Sequence, residues 1–230
     1  MDKNFFTNDH KHTLVFMDLE TFNVNLNFYN NRPWQVGMIK VVRKDNVAES
    51  CDRMVKWDCG LKISDEAARI TRFDKKKFNK LAEEQEEVFP MVYDWLDSCD
   101  YIVGHNILGF DMYLIRDWCK MHNKPYNHLF KKCIDTLAIG RGIRTEHYFK
   151  KDEGNFFEYQ YRMLTHRVKG IRTSLTELGK YYNIDHDYST LHDAINDLKL
   201  NLKIWRKLKL EMSKIRHIIT ICPAWTLHTI

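Results

Sequence analysis

The sequence predicts an α/β domain: a mixed five-stranded sheet, part antiparallel meander and part parallel, flanked by helices. Three observations lead there. Residues 13–56 hold three β-patterned runs on short connections, the hydrophobic period becomes helical after residue 64, and the later apolar runs are short and followed by helical pattern.

Residues 13–19 form an apolar run ending in an acid, which suits a central strand whose C-terminal end opens on a site. Residues 34–42 and 47–56 read as two more strands, with Arg43, Lys44, Asp45 and Asn46 supplying a hairpin turn between them. Residues 64–98 are charged and helix-like, interrupted near Pro90, with Val88, Val92, Trp95 and Leu96 spaced for one buried face. Tyr101–Gly104 is a brief buried strand, 110–122 a helix, and Cys133–Leu137 another strand. Helices at 174–182 and 191–212 follow, the second with Ile195, Leu198, Leu202 and Trp205 as its buried stripe. Because helices follow strands in this half, its strands are expected to join the meander in parallel.

At 230 residues and 44% hydrophobic content the chain is long enough for one well-buried domain spanning residues 1–230. The formal charge of +5 suits a polyanionic partner if the basic residues gather on one surface. Six cysteines (51, 59, 99, 119, 133, 222) show no Cys-x-x-Cys pair, so reduced, partly buried thiols are expected rather than a zinc site or disulfides. The N-terminal residues lack the apolar core of a secretory signal and no run is long enough to span a bilayer. A cytoplasmic, reducing location without membrane attachment is the expectation.

Four acids and one histidine stand in distinctive contexts. Asp18 and Glu20 are two apart on a predicted strand, so both point to one face of the sheet. Asp111 closes Gly-His-Asn-Ile-Leu-Gly-Phe-Asp at a predicted helix start, where an acid serves equally as a dipole-complementing cap or as a third ligand on a rigid element. His192 and Asp197 flank the first turns of the last helix. Grouped acids repel one another and resist desolvation, so a site that collects them normally holds divalent cations.

These motifs resemble the DEDDh branch of the DnaQ-like 3′-to-5′ exonucleases, within the ribonuclease H-like superfamily. The similarity covers residues 13–210 and includes Asp18-x-Glu20-Thr21, the His105-Asn106 segment ending at Asp111, and His192 with Asp197 five residues on. Weaker echoes are Arg69-Ile70-Thr71, Cys133 through Leu137, and Ser174 through Leu178. The resemblance implies two Mg²⁺ or Mn²⁺ ions held by Asp18, Glu20, Asp111 and Asp197, with His192 accepting the proton of the attacking water and a nucleoside 5′-monophosphate leaving. Thr21, Phe22, His105 and Asn106 are the candidate substrate contacts beside it.

The partner so implied is the 3′ end of single-stranded or frayed DNA, with RNA as the alternative; a polymerase or replication partner would act in trans. A non-catalytic binding or docking module is the remaining alternative, and it is opposed by the complete set of five residues.

Two features depart from the family pattern. Phe22-Asn23 stands where relatives carry a small pair, placing Phe22 either to stack on the last base or to pack into the sheet edge. An apparent insertion at 141–172 is rich in Lys, Arg and aromatics; alternation at Phe157, Tyr159, Tyr161 and Met163 predicts a β-hairpin. Lys150, Lys151 and Arg162 are its candidate substrate contacts, against packing of the aromatic face on the domain or pairing between subunits. Residues 213–230 form a C-terminal extension.

Overall fold

The computed structural model describes residues 11–42, 46–58, 60–150 and 154–221, with side chains to residue 214. Its sheet is built around β1 (Leu14–Thr21), which pairs antiparallel with β2 (Pro33–Val42) along its whole length. β3 (Asn46–Lys56) completes the meander against β2. The turn expected at 43–46 lies, apart from Asn46, outside the described residues.

Two seven-residue helices follow, α1 (Asp65–Thr71) and α2 (Lys75–Leu81), then the two-residue strand β4 (Glu83–Glu84) and α3 (Gln85–Ser98). The helical stretch does not break at Pro90, which lies inside α3. Proline there deprives only the carbonyl of Glu86 of a partner, and Glu86 is exposed to water. The breaks fall instead at Arg72, which takes left-handed backbone (φ 53°), and at Ala82, which is extended.

On the other side of β1, β5 (Tyr101–Gly104) and then β6 (Cys133–Asp135) add in parallel, giving the order β4-β3-β2-β1-β5-β6. The expected five strands are therefore six, because β4 pairs with the end of β3. Between β5 and β6 lie α4 (Asp111–Met121) and the short α5 (Asn127–Lys131), and after β6 the chain turns at once into α6 (Thr136–Arg144).

The predicted hairpin within 141–172 is instead a helix, α7 (Phe156–Thr165). Its buried residues, Phe156, Tyr159, Gln160 and Met163, recur at helical spacing, and Asn155 caps the first turn by accepting from Glu158 N. The alternating aromatics coincided with that period, since Phe157 and Tyr161 meet edge-to-face one turn apart on the same helix. Gln160 accepts from Asp135 N (2.7 Å) and donates to Cys133 O (3.2 Å), covering the free edge of β6. Arg141 Nη1 donates to Met163 O (2.8 Å) and Leu164 O, satisfying the last carbonyls of α7.

After α8 (Leu175–Tyr181) and a 3₁₀ turn at Tyr188–Thr190, α9 (Ala194–Ile221) runs past the expected end at 212. Residues alternate between two cores. Val15, Met17 and Leu19 pack toward α3 and α4, while Leu14 and Phe16 pack toward α6, α7 and α9. Cys51, Cys99, Cys119 and Cys133 are buried free thiols, and burial pushes Cys99 and Cys119 up to about 12, which leaves them unreactive. Among the described residues no helix is long and apolar enough to cross a membrane.

Candidate active site

The three mutually parallel strands, β1, β5 and β6, run in one direction, and the predicted acids Asp18, Glu20 and Asp197 meet near the C-terminal end of β1. Asp18 and Glu20 share the parity of Leu14 and Phe16, so they emerge on the face covered by α9. Register places Asp18 opposite Gly37 of β2. Gly37 lacks a side chain where the start of α9 crosses the sheet: a Cβ there would lie 2.7 Å from Ala194 Cβ and 3.0 Å from its carbonyl carbon. That close approach brings Asp197, in the first turn of α9, over β1. Carboxylate oxygens of Asp18, Glu20 and Asp197 lie within 4.8 Å of one another, a spacing that suits a shared cation.

Asp111 enters differently. β1 pairs with β5 only as far as Phe16, so the next inward-facing amide, Leu19 N, lacks a strand partner on that side. It donates to Asp111 Oδ1 at 3.1 Å. Asp111 is buried and its charge acts on Asp18 and Glu20, although it lies outside the close trio.

Burial is the first cause of the site's abnormal acidity, and mutual repulsion the second. Desolvation, with repulsion from Asp197, Asp111 and Asp193, lifts Glu20 to about 8. Asp18 is raised well above the ordinary range by burial and by Asp111, Glu20, Asp197 and Asp193. Burial lifts Asp111 to about 8 against the opposing backbone hydrogen bonds, and Asp197 to about 6. Hard oxygen donors packed at this density fit divalent cations, which remove the repulsion.

His192 has left-handed backbone (φ 68°) and donates its N–H to Asp197 Oδ1 at 3.2 Å, so its loop is tied to the acids while the side chain stays exposed. Partial desolvation and the charge of Arg72 lower its pKa, favouring the neutral imidazole.

The remaining expected site residues divide. Thr21 is buried with its hydroxyl donating to Asn23 O, and it lines a cavity of about 240 Å³ together with Glu20, Val24, Ile70, Thr71 and Phe110. Phe22 is buried and packs edge-to-face on Phe78. His105 Nδ1 faces Thr136 Oγ1 (3.2 Å), and burial with the charge of Arg141 pushes its pKa down to about 3. Asn106, at φ 64°, donates its N–H to Asp135 Oδ1 and shapes the loop. Arg162 is exposed on α7, Lys150 is exposed in the segment that precedes it, and Lys151 lies outside the described residues.

Sequence reading missed Asp193, whose charge adds to the repulsion on Glu20 and whose side chain caps α9 through Asn196 N. An Asp three residues before an Asn at a helix start was the available signal. It also missed Gly37 and Val24, which carry no motif of their own, whereas Phe110 stands in the motif that ends at Asp111 and Ile70 and Thr71 belong to one of the weaker echoes.

A profile of the RNase T exonuclease family matches residues 15–205. The chain belongs to this family. The family is described as one of exonucleases, and the ribonuclease H-like fold agrees with solved structures of E. coli exonuclease I. The complex of that enzyme with a dT13 oligonucleotide superposes with a TM-score of 0.69 at 18% identity, over 92% of this chain and 44% of the other. The complex with a dA16 oligonucleotide gives 0.67 at 19%, over 91% and 43%. The apo enzyme gives 0.68 at 18%, over 91% and 45%, so the chain spans less than half the length of these proteins. A comparison with curated protein sequences finds no match.

Two expectations follow from the geometry. Unfolded carboxylates titrate near about 4, while the folded site holds its protons to about 6 for Asp197 and about 8 for Glu20 and Asp111. Across that window the unfolded chain binds fewer protons than the folded one, so rising pH destabilises the cation-free protein. Melting in chelator should therefore drop from pH 5 to pH 8 more steeply for the wild type than for Asp18→Asn, and added Mn²⁺ should stabilise most at pH 8. Parallel melting profiles for the two proteins would contradict the raised values.

Gly37→Ala should cost about 1–3 kcal/mol by overpacking and reduce turnover on the order of 10²-fold by displacing α9. Ala194→Gly in the same chain should recover part of both losses. Additive losses in the double variant would show that the two residues do not meet.

Proposed function

We propose that this chain is a metal-dependent 3′-to-5′ exonuclease that releases nucleoside 5′-monophosphates from single-stranded or frayed nucleic acid, with DNA favoured over RNA. The observation that carries the reading is the trio Asp18, Glu20 and Asp197 beside a cavity whose other walls are mostly apolar. A terminal nucleoside can lay its base and sugar against Val24, Ile70 and Phe110 while its phosphate meets the acids. Phosphodiester and acids repel each other, so this placement requires bound cations.

Asp18, Glu20, Asp197 and, from the opposite side, Asp111 would hold the cations, Mg²⁺ or Mn²⁺. Such ions, when bound, neutralise the phosphate and lower the pKa of a coordinated water. The chain's own groups do the rest. Leu19 N orients Asp111, the Gly37–Ala194 contact sets the height of Asp197, and the cavity walls fix the terminal nucleoside. His192 takes the proton from the attacking water, a role supported by an exposed imidazole biased toward its neutral form on a loop whose backbone N–H is tied to Asp197.

The preference for DNA is supported by crowding beside Thr21. The hydroxyl of Thr21 is engaged with Asn23 O, and Phe22 is fixed on both sides of its backbone, by Phe22 N to Arg32 O and Ser64 N to Phe22 O. A closely held backbone at this point discriminates against a 2′-hydroxyl. The oligonucleotide complexes of E. coli exonuclease I agree with this choice. A polymerase or replication partner in trans is compatible with this reading and is not required to degrade a free strand.

The reading is tested with 5′-labelled single-stranded DNA and RNA of one sequence, in Mg²⁺ or Mn²⁺. A ladder shortening from the 3′ end, faster on DNA, is expected; faster loss of the RNA would make the chain an exoribonuclease, and stability of both labels would remove the activity. Asp18→Asn should abolish turnover in a folded protein. His192→Ala should lower turnover by roughly 10² to 10⁴ while Mn²⁺ still raises the melting temperature, and undiminished turnover would return the histidine to a structural role.

A further inference from the structure

The cavity wall leads directly into a run of cations that the hydrolytic site does not use. Ile70 and Thr71 line the cavity, and over the next nine residues come Arg72, Lys75, Lys76, Lys77 and Lys80, all exposed. The one acid among them, Asp74, caps α2 by accepting from Lys76 N and Lys77 N. Lys76 and Lys80 stand four apart on α2, and Lys77 and Lys80 three apart, so like charges face each other at some cost to the helix.

Several cations elsewhere on the surface are paired with acids. Arg53 pairs with Glu83, Lys56 with Glu84, Lys40 with Glu49, and Arg116 and Lys120 with Asp117. Among the described residues none of Arg72, Lys75, Lys76, Lys77 or Lys80 has an acid within 4.0 Å.

The segment cannot roll to hide this charge. Phe73 and Phe78 anchor it against Trp34, with ring centroids 4.9 Å and 6.4 Å away, and Phe78 also meets Phe22. Arg72 sits at the junction, its left-handed backbone turning the chain from the cavity wall into α2, and its charge is felt by both His192 and Asp187 across the mouth of the site.

We propose that α1–α2 is the track for the sugar-phosphate backbone of the substrate strand: Arg72 holds the phosphate nearest the cavity and Lys75, Lys76, Lys77 and Lys80 hold those further from the 3′ end. This rests on the exonuclease reading above and assigns the surface that guides its substrate. It also answers an electrostatic problem of the site. An acidic centre repels a polyanion, and a fixed positive ridge beside it offsets that repulsion at the point of entry.

The test uses the full chain and labelled dT16 and dT2, with binding read by fluorescence anisotropy in Ca²⁺ at two salt concentrations and hydrolysis read separately in Mn²⁺. Joint replacement of Lys75, Lys76, Lys77 and Lys80 by Ser should weaken dT16 binding by about tenfold or more at low salt and dT2 binding by much less. Each lost single-strand phosphate contact removes about 0.7 from the salt slope, so a decrease of about 3 is expected for the four lysines. Arg72→Ala should weaken dT16 and dT2 alike, and Arg72→Lys should restore part of that loss. A control variant with Lys124, Lys131 and Lys207 changed to Ser, exposed residues away from the ridge, separates local contacts from net charge.

Unchanged dT16 affinity and salt slope in the ridge variant would overturn the track, as would an equal loss in the control variant or a wild type that does not bind dT16. A wild type that binds dT16 through the ridge yet degrades no strand would leave the track standing and remove the exonuclease reading.

Discussion

Three carboxylates that repel one another are held within contact of a single ion, and much of the architecture can be understood as the frame this requires. Repulsion pushes side chains apart, so convergence has to be imposed by backbone that cannot yield. β1 supplies it, being paired with β2 along its length and with β5 in its first half. Where β5 stops, Asp111 completes the pairing by taking Leu19 N, so a catalytic candidate is also part of the sheet's hydrogen bonding. Gly37 permits the close crossing that delivers Asp197. The tension is electrostatic and the restraint is steric, and cations relieve the first without altering the second.

A second buried acid steadies the loop that carries Asp111. Asp135 is fully buried, yet it is raised only to about 6, because backbone amides of Asn106, Leu108, Leu137 and Ala138 all donate to it. It therefore clamps the 105–110 loop to the start of α6. Thr136 extends the clamp by donating to Asn201 Oδ1 (2.7 Å) on α9, with His105 Nδ1 at 3.2 Å. An imidazole whose pKa is near 3 stays neutral and can satisfy this contact from one fixed tautomer. The weak echo from Cys133 through Leu137 thus belongs to a brace rather than to the chemistry.

The stretch richest in aromatic and basic residues contributes in an unexpected way. Read as a ribbon it suggested a guide for the strand; folded as α7 it buries Phe156, Tyr159 and Met163 and seals β6 through Gln160. Its alternation and its helical spacing were both present in the sequence, and only burial distinguishes them. The less conspicuous run after Thr71 carries cations that, among the described residues, have no acid within 4.0 Å.

The sequence by itself determined the meander, the short parallel strands and the five motif residues, because strand alternation, helical period and hard-ligand chemistry are local properties that neighbouring residues express directly. Tertiary structure decided the rest. Whether Phe22 faces a base or the core depends on Phe78, whether Asp111 is a cap or a strand partner depends on where β5 ends, and the pocket walls come from three separate segments. Those outcomes rest on contacts between residues distant in the chain, and the pKa values that prepare the acids for cations arise from desolvation and repulsion that exist only once those contacts form.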